Sequence, residues 1–157
     1  MSSKPHARVL LTLLALAPIV CGAADRLTGK WRSDHDASMS FISSHTRLEP
    51  RQHEFLDGCL GRMELSFDGA RMQRQVSDFD VRIQGKLRHF AGADEALSYR
   101  VLGTDVDSIA ILVAGDHGRD RILHIHFVTQ DSFWLYSEET DYGLRDENFR
   151  EYFRRIK

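Results

Sequence analysis

Arg62-Met63-Glu64-Leu65-Ser66-Phe67-Asp68-Gly69-Ala70 is the stretch in which the chain changes period. Ahead of it, apolar residues recur at helical spacing. Within it they alternate, so Met63, Leu65 and Phe67 share one face of an extended strand. Asp68-Gly69 reads as a two-residue hairpin turn, whose central positions need the positive φ that Gly and Asp tolerate. Residues 70–76 return as the partner strand. Further strand segments follow at residues 81–90, 96–102, 108–114, 121–129 and 133–137. Several are separated by Gly and Asp clusters, such as Gly92-Ala93-Asp94 and Gly103-Thr104-Asp105. Many short strands at regular spacing predict an antiparallel meander. Closing the meander into a barrel would remove its exposed edges.

Working back from the hairpin, Leu48, Phe55, Leu56, Cys59 and Leu60 form an apolar stripe at helical spacing. Residues 47–60 are therefore expected to be helical. Pro50 suits the first turn, and Gly58 and Gly61 mark the end. Asp36 is expected to cap a shorter helix over residues 37–44, with a strand as the competing reading. Residues 27–33 (LTGKWRS) form the first strand. At the other end, Phe149, Tyr152, Phe153 and Ile156 have helical spacing. A strand over residues 150–156 competes with that helix, and it is the expectation because a closed barrel needs a last partner for its first strand. The fold class is thus mainly β: a single antiparallel up-and-down barrel with one or two short helices after the first strand.

The leader sets the compartment. Lys4 and Arg8 precede the apolar run Val9–Val20, and small residues follow at Gly22-Ala23-Ala24. These are the parts of a secretory signal peptide, with cleavage near Ala23 or Ala24. The run is shorter than the ~20 apolar residues of a bilayer span, so no transmembrane segment is expected in the mature chain. Cys21 raises lipidation as an alternative, but Val20 and Pro18 are poor neighbours for it. The expected organisation is a leader, residues 1–24, and one domain, residues 25–157, in the periplasm or secreted. Arg far outnumbers Lys and Asn148 is the only Asn, a bias that fits a GC-rich bacterial genome.

The whole chain carries a net charge of -2. Loss of Lys4 and Arg8 makes the mature chain more acidic still. Mildly acidic, dispersed charge argues against nucleic acid as a partner. Cys59 alone remains after cleavage, which excludes an intramolecular disulfide. In a helix, its simplest role is a small buried hydrophobe.

Gly29-Lys30-Trp31 on the first strand, the meander behind it, and Arg154-Arg155 in the last segment resemble the lipocalin-like, or calycin, barrels. That resemblance implies a basic side chain from the last strand packed over the tryptophan. Such packing combines cation–π attraction with cover for apolar surface. Gly29, Trp31, Arg154 and Arg155 are thus the expected structural signature. The helix after the first strand departs from an ordinary lipocalin and would replace its lid loop. The chain also resembles small exported bacterial proteins that begin Trp-Arg-Ser-Asp (Trp31 to Asp34) and end aromatic-Phe-Arg-Arg (Tyr152 to Arg155).

No residue set identifies a reaction. Gly-x-Ser-x-Gly, a Gly-rich phosphate loop and His-Glu-x-x-His are all missing from the sequence. Glu138 and Glu139 are adjacent and would point to opposite faces of a strand. His124 and His126 share a strand face, a spacing compatible with a metal that a third ligand would have to complete. Trp134 and Tyr136 share a face of the next strand. If those faces meet in a lumen, His124, His126, Trp134 and Tyr136 would line a pocket for a small hydrophobic or amphipathic molecule. Non-enzymatic binding of such a molecule is the expected function, with no cofactor. A metal-assisted enzyme using the histidine pair and a protein-interaction or inhibitor module with a filled barrel are the alternatives.

Overall fold

The computed structural model describes residues 23–115, 119–136 and 149–157. The elements in chain order are α1 (Ala23–Leu27), β1 (Gly29–Ser33), α2 (His35–His45), α3 (Pro50–Cys59), β2 (Met63–Phe67), β3 (Arg71–Val76), β4 (Phe79–Ile83), β5 (Lys86–Phe90), β6 (Ala93–Thr104), β7 (Ser108–Val113), β8 (Arg121–Thr129), β9 (Ser132–Tyr136) and β10 (Arg150–Ile156). Eight strands close an antiparallel barrel in the order β1-β10-β9-β8-β7-β6-β3-β2. Trp31 faces Arg155 on one side and Leu65 on the other, so the last strand is the partner the first one needed. The leader falls outside the described residues except for Ala23 and Ala24, which open α1.

The meander is interrupted once. Residues 81–90, expected as a single barrel strand, instead belong to a hairpin of β4 and β5 that forms its own two-stranded sheet. Gln84 and Gly85 have φ of 51° and 77°, consecutive positive values that turn the chain back on itself. The Gln84 N–H donates to Glu54 Oε2 at 2.6 Å, tying the turn to α3. The alternation of this stretch suits a hairpin as well as a strand; the Gln-Gly pair was the signal.

Both helices after β1 form, with one cap moved. Asp34, not Asp36, is the N-cap of α2, and its carboxylate accepts from the Ala37 N–H at 3.2 Å. Pro50 opens α3 as expected, and the Gln52 side chain accepts from the Glu49 N–H at 2.8 Å. Gly58 lies inside α3 rather than after it. A Cβ there would clash with Val81 Cγ2, so the glycine is what lets helix and hairpin touch.

Two cores result. One fills the barrel with Trp31, Phe67, Tyr99, Ile111, Ile125, Phe127, Phe133 and Phe153. The other joins α2, α3 and the β4–β5 hairpin through Ile42, Phe55, Leu56, Leu60, Val81 and Ile83, with Phe149 and a half-buried Cys59 against it. The α2 helix is pinned to β10: the Asp34 N–H donates to Tyr152 O at 2.7 Å, and the Tyr152 N–H donates to Ser38 Oγ at 2.9 Å. Among the described residues no helix is long and apolar enough to cross a membrane.

Candidate functional site

The two ends of the barrel are built differently. At one end Trp31 is fully buried, donates from Nε1 to Leu27 O at 2.8 Å, and meets Phe133 edge-on at 4.7 Å. The Arg155 guanidinium lies 4.1 Å over the Trp31 ring. It also donates to Thr28 O at 2.7 Å and pairs with Asp131 at 3.1 Å. Gly29 has φ +125°, and a Cβ there would meet Arg155 Nη1 at 2.7 Å. Three of the four signature residues therefore act as one unit. Arg154 is exposed, because it occupies the opposite phase of β10 and pairs with Arg32 and Ser132 in register. Arg26 seals the same end, 4.2 Å over Phe127 and bonded to Val106 O at 3.1 Å.

The other end is hollow. A cavity of about 470 Å³ is lined by Met72, Leu97, Val113 and Leu123 together with Gly115, Arg74, Glu95, Arg119 and Arg121. A lobe of about 250 Å³ extends it toward Met63, Leu65, Leu135 and Glu151. A third, of about 320 Å³, lies beneath α3 and the hairpin, against Phe55, Leu60, Phe79 and Phe90. Arg74 borders all three. The first volume lies within the ~300–1,000 Å³ range of small-molecule sites.

Arg74 and Arg121 stand on inward positions of β3 and β8, in phase with Met72 and Leu123. Arg121 is exposed at the mouth, whereas a charge as far in as Arg74 is costly unless paired. Arg74 is paired: Nε and Nη2 donate to the two oxygens of Glu95 at 3.1 and 3.0 Å. Glu151, only 4% exposed, accepts from Ser33 Oγ at 2.5 Å. Ser33 Oγ in turn accepts from the Gly61 N–H at 2.9 Å, which ties the chain leaving α3 to the barrel wall.

His124, His126, Trp134 and Tyr136 do share one face, but it is the outer face. Their neighbours Ile125, Phe127, Phe133 and Leu135 are the buried ones. On the outside, the His126 ring stacks on Trp134 at 4.1 Å, and Trp134 meets Tyr136 at 5.1 Å. The Arg150 guanidinium lies 3.9 Å over the Trp134 ring. Partial burial lowers the His126 pKa from the ordinary 6.5, with Asp107 opposing and His124 and Arg150 reinforcing. Only His124 and Tyr136 reach the cavity, at the rim of the second lobe. No group of three or more His, Cys, Asp or Glu that could hold a metal comes together among the described residues. Of the further donors His89, His117, Glu138 and Asp141, His89 lies on β5 with its Nδ1 2.9 Å from Asp80 Oδ1, and the other three lie outside the described residues.

The lining residues that sequence reasoning missed, Arg74, Glu95 and Arg121, carried a usable signal. Each is in phase with apolar positions of its own strand, and Arg74 faces Glu95 in the β3–β6 register. Fold and cavity together define a closed eight-stranded antiparallel barrel, filled at one end and with a cavity at the other. Comparison with protein-family models, curated proteins and solved structures finds no match to this chain.

Proposed function

We propose that this chain is an exported, lipocalin-like protein that binds a small hydrophobic or amphipathic molecule at the open end of its barrel and carries out no reaction on it. The observation that carries the reading is the cavity of about 470 Å³, apolar on its walls and charged at a few points. Apolar burial supplies the affinity and the polar groups fix orientation. The leader, with its basic start and apolar run, supports export to the periplasm. The filled end favours an interaction module only for half the barrel; the hollow end favours a carrier.

Native mass spectrometry of mature protein exported by a bacterial host, with displacement of a polarity-sensitive dye, tests this. A retained small-molecule mass and saturable dye binding are expected. Leu123→Trp, which projects bulk into the cavity, is expected to abolish both while the protein stays folded. Absence of a retained mass and of dye binding in the native protein would overturn the reading.

A further inference from the structure

We infer that the molecule held at the open end carries an anionic head, a carboxylate or phosphate ester, and that Arg119 and Arg121 receive it. The inference rests on the proposal that the cavity binds a ligand, and it names the class.

Three guanidiniums and two carboxylates surround the connected space: Arg74, Arg119 and Arg121 against Glu95 and Glu151. Both carboxylates are engaged, Glu95 by the two-pronged pair with Arg74 and Glu151 by Ser33. Arg119 and Arg121 are exposed, and their guanidiniums make no ion pair with any described residue. Both border the same cavity, on the side where β8 begins. Two like charges with no partner among the described residues, beside an apolar wall, repel each other and attract a counter-charge. A planar guanidinium fork matches a carboxylate or phosphate through paired N–H donors.

The position of the arginines also orients the ligand. The far half of the barrel is filled by Trp31, Phe67, Phe127 and Phe133, so an apolar tail stops at mid-barrel, against Leu97 and Leu123. The head stays at the rim, where it remains partly hydrated. A neutral alcohol would use the same walls and forgo the arginines. A cationic amphiphile would be repelled by them.

Titrating the mature protein with decanoate, decyl phosphate, decanol and decylammonium, by calorimetry at low and high salt, tests this. Acetate and inorganic phosphate serve as heads without tails. Decanoate or decyl phosphate is expected to bind at least about tenfold tighter than decanol, about 1.4 kcal/mol. Decylammonium is expected to be the weakest of the four, and the tailless anions weaker than their decyl counterparts. The preferred member of the two anions identifies the head. R119Q/R121Q is expected to bring the anion down to the level that decanol shows in the same variant. The native preference should also shrink at high salt, a readout that does not depend on the variant folding. Equal binding of decanol and both anions would overturn the inference while leaving a ligand-binding cavity. A salt-independent preference, or one that survives R119Q/R121Q, would overturn the role of these arginines. Tailless anions that bind as tightly as decyl ones would overturn the amphiphile. If none of the six binds, both this inference and the ligand-binding reading fall.

Discussion

The closed end of the barrel uses an arginine to finish a core, and the open end uses arginines to furnish a space. Arg155 covers Trp31 and donates to backbone carbonyls from the chain around α1. Its bonds are all internal, so it adds order and little chemistry. Arg74 also has a fixed partner in Glu95, yet it borders every lobe of the cavity. Arg119 and Arg121 have none among the described residues. The same side chain therefore serves structure where its donors are consumed within the protein, and where it has no partner among the described residues it is the group proposed to meet a ligand.

The sharpest way to break that comparison is to empty the closed end. Trp31→Ala removes a fully buried indole together with the surface that Arg155 covers. It should cost about 3–5 kcal/mol, the range for large core aromatics, in denaturant unfolding. A loss below about 1 kcal/mol would mean that the open end bears the stability instead.

A smaller effect is expected from Gly29→Ala. The positive φ and the close approach of Arg155 both penalise a Cβ, and a loss of about 2 kcal/mol follows from strain of this kind. Arg155→Ala should remove the steric part of the penalty, so the double variant should lose less than the sum of the single changes. Full additivity in a double-mutant cycle would uncouple the pair.

At the open end, Arg74→Gln should cost under about 1 kcal/mol, because both members of the pair are one-third exposed and screened by solvent. Its main effect should be on dye or ligand affinity. A stability loss as large as that of Trp31→Ala would make the two ends alike.

The smallest effect concerns pH. His35 lies 2.9 Å from Asp36 and 3.2 Å from Asp57, which links the start of α2 to α3. The hydrogen bond to Asp36 raises its pKa above the ordinary 6.5, helped by Asp57 and opposed by partial burial. The folded state then holds the proton more tightly than the unfolded state. Its contribution is complete below 6.5 and fades as pH climbs through the raised value. Melting temperature should therefore drop slightly over that window, and His35→Gln should flatten the drop. An unchanged slope in the variant would assign it to another group.

Much of the architecture was legible because it depends on local period. The change after Gly61 and the Gly29-x-Trp31 start correspond to observed elements, and the hairpin expected at Asp68-Gly69 forms with its two central residues one position later, at Gly69-Ala70. The β4–β5 hairpin was not, since a strand and a two-residue hairpin share one alternation and differ at Gln84-Gly85 alone. The inside and outside of β8 and β9 were also inverted. Both faces carry large residues there, and the bulky Trp134 and Tyr136 stand on the outer one. The purely apolar phase, Ile125, Phe127, Phe133 and Leu135, was the better guide to burial. The cavity's charged lining was hidden for a related reason. A lone Arg in a strand reads as solvated until its phase is compared with its neighbours and with Glu95 across the sheet.

The pairing of β1 with β10 also governs how the barrel comes into being. Lys30 meets Ile156, so closure joins segments from opposite ends of the domain. Contacts of such separation form late and slowly, after most loop entropy has been lost. Until β10 arrives, β1 and β9 each present an unpaired edge, open to pairing with another chain. A polypeptide of this design gains from staying unfolded until it is whole, a timetable that the proposed export, by threading through a narrow channel, would impose.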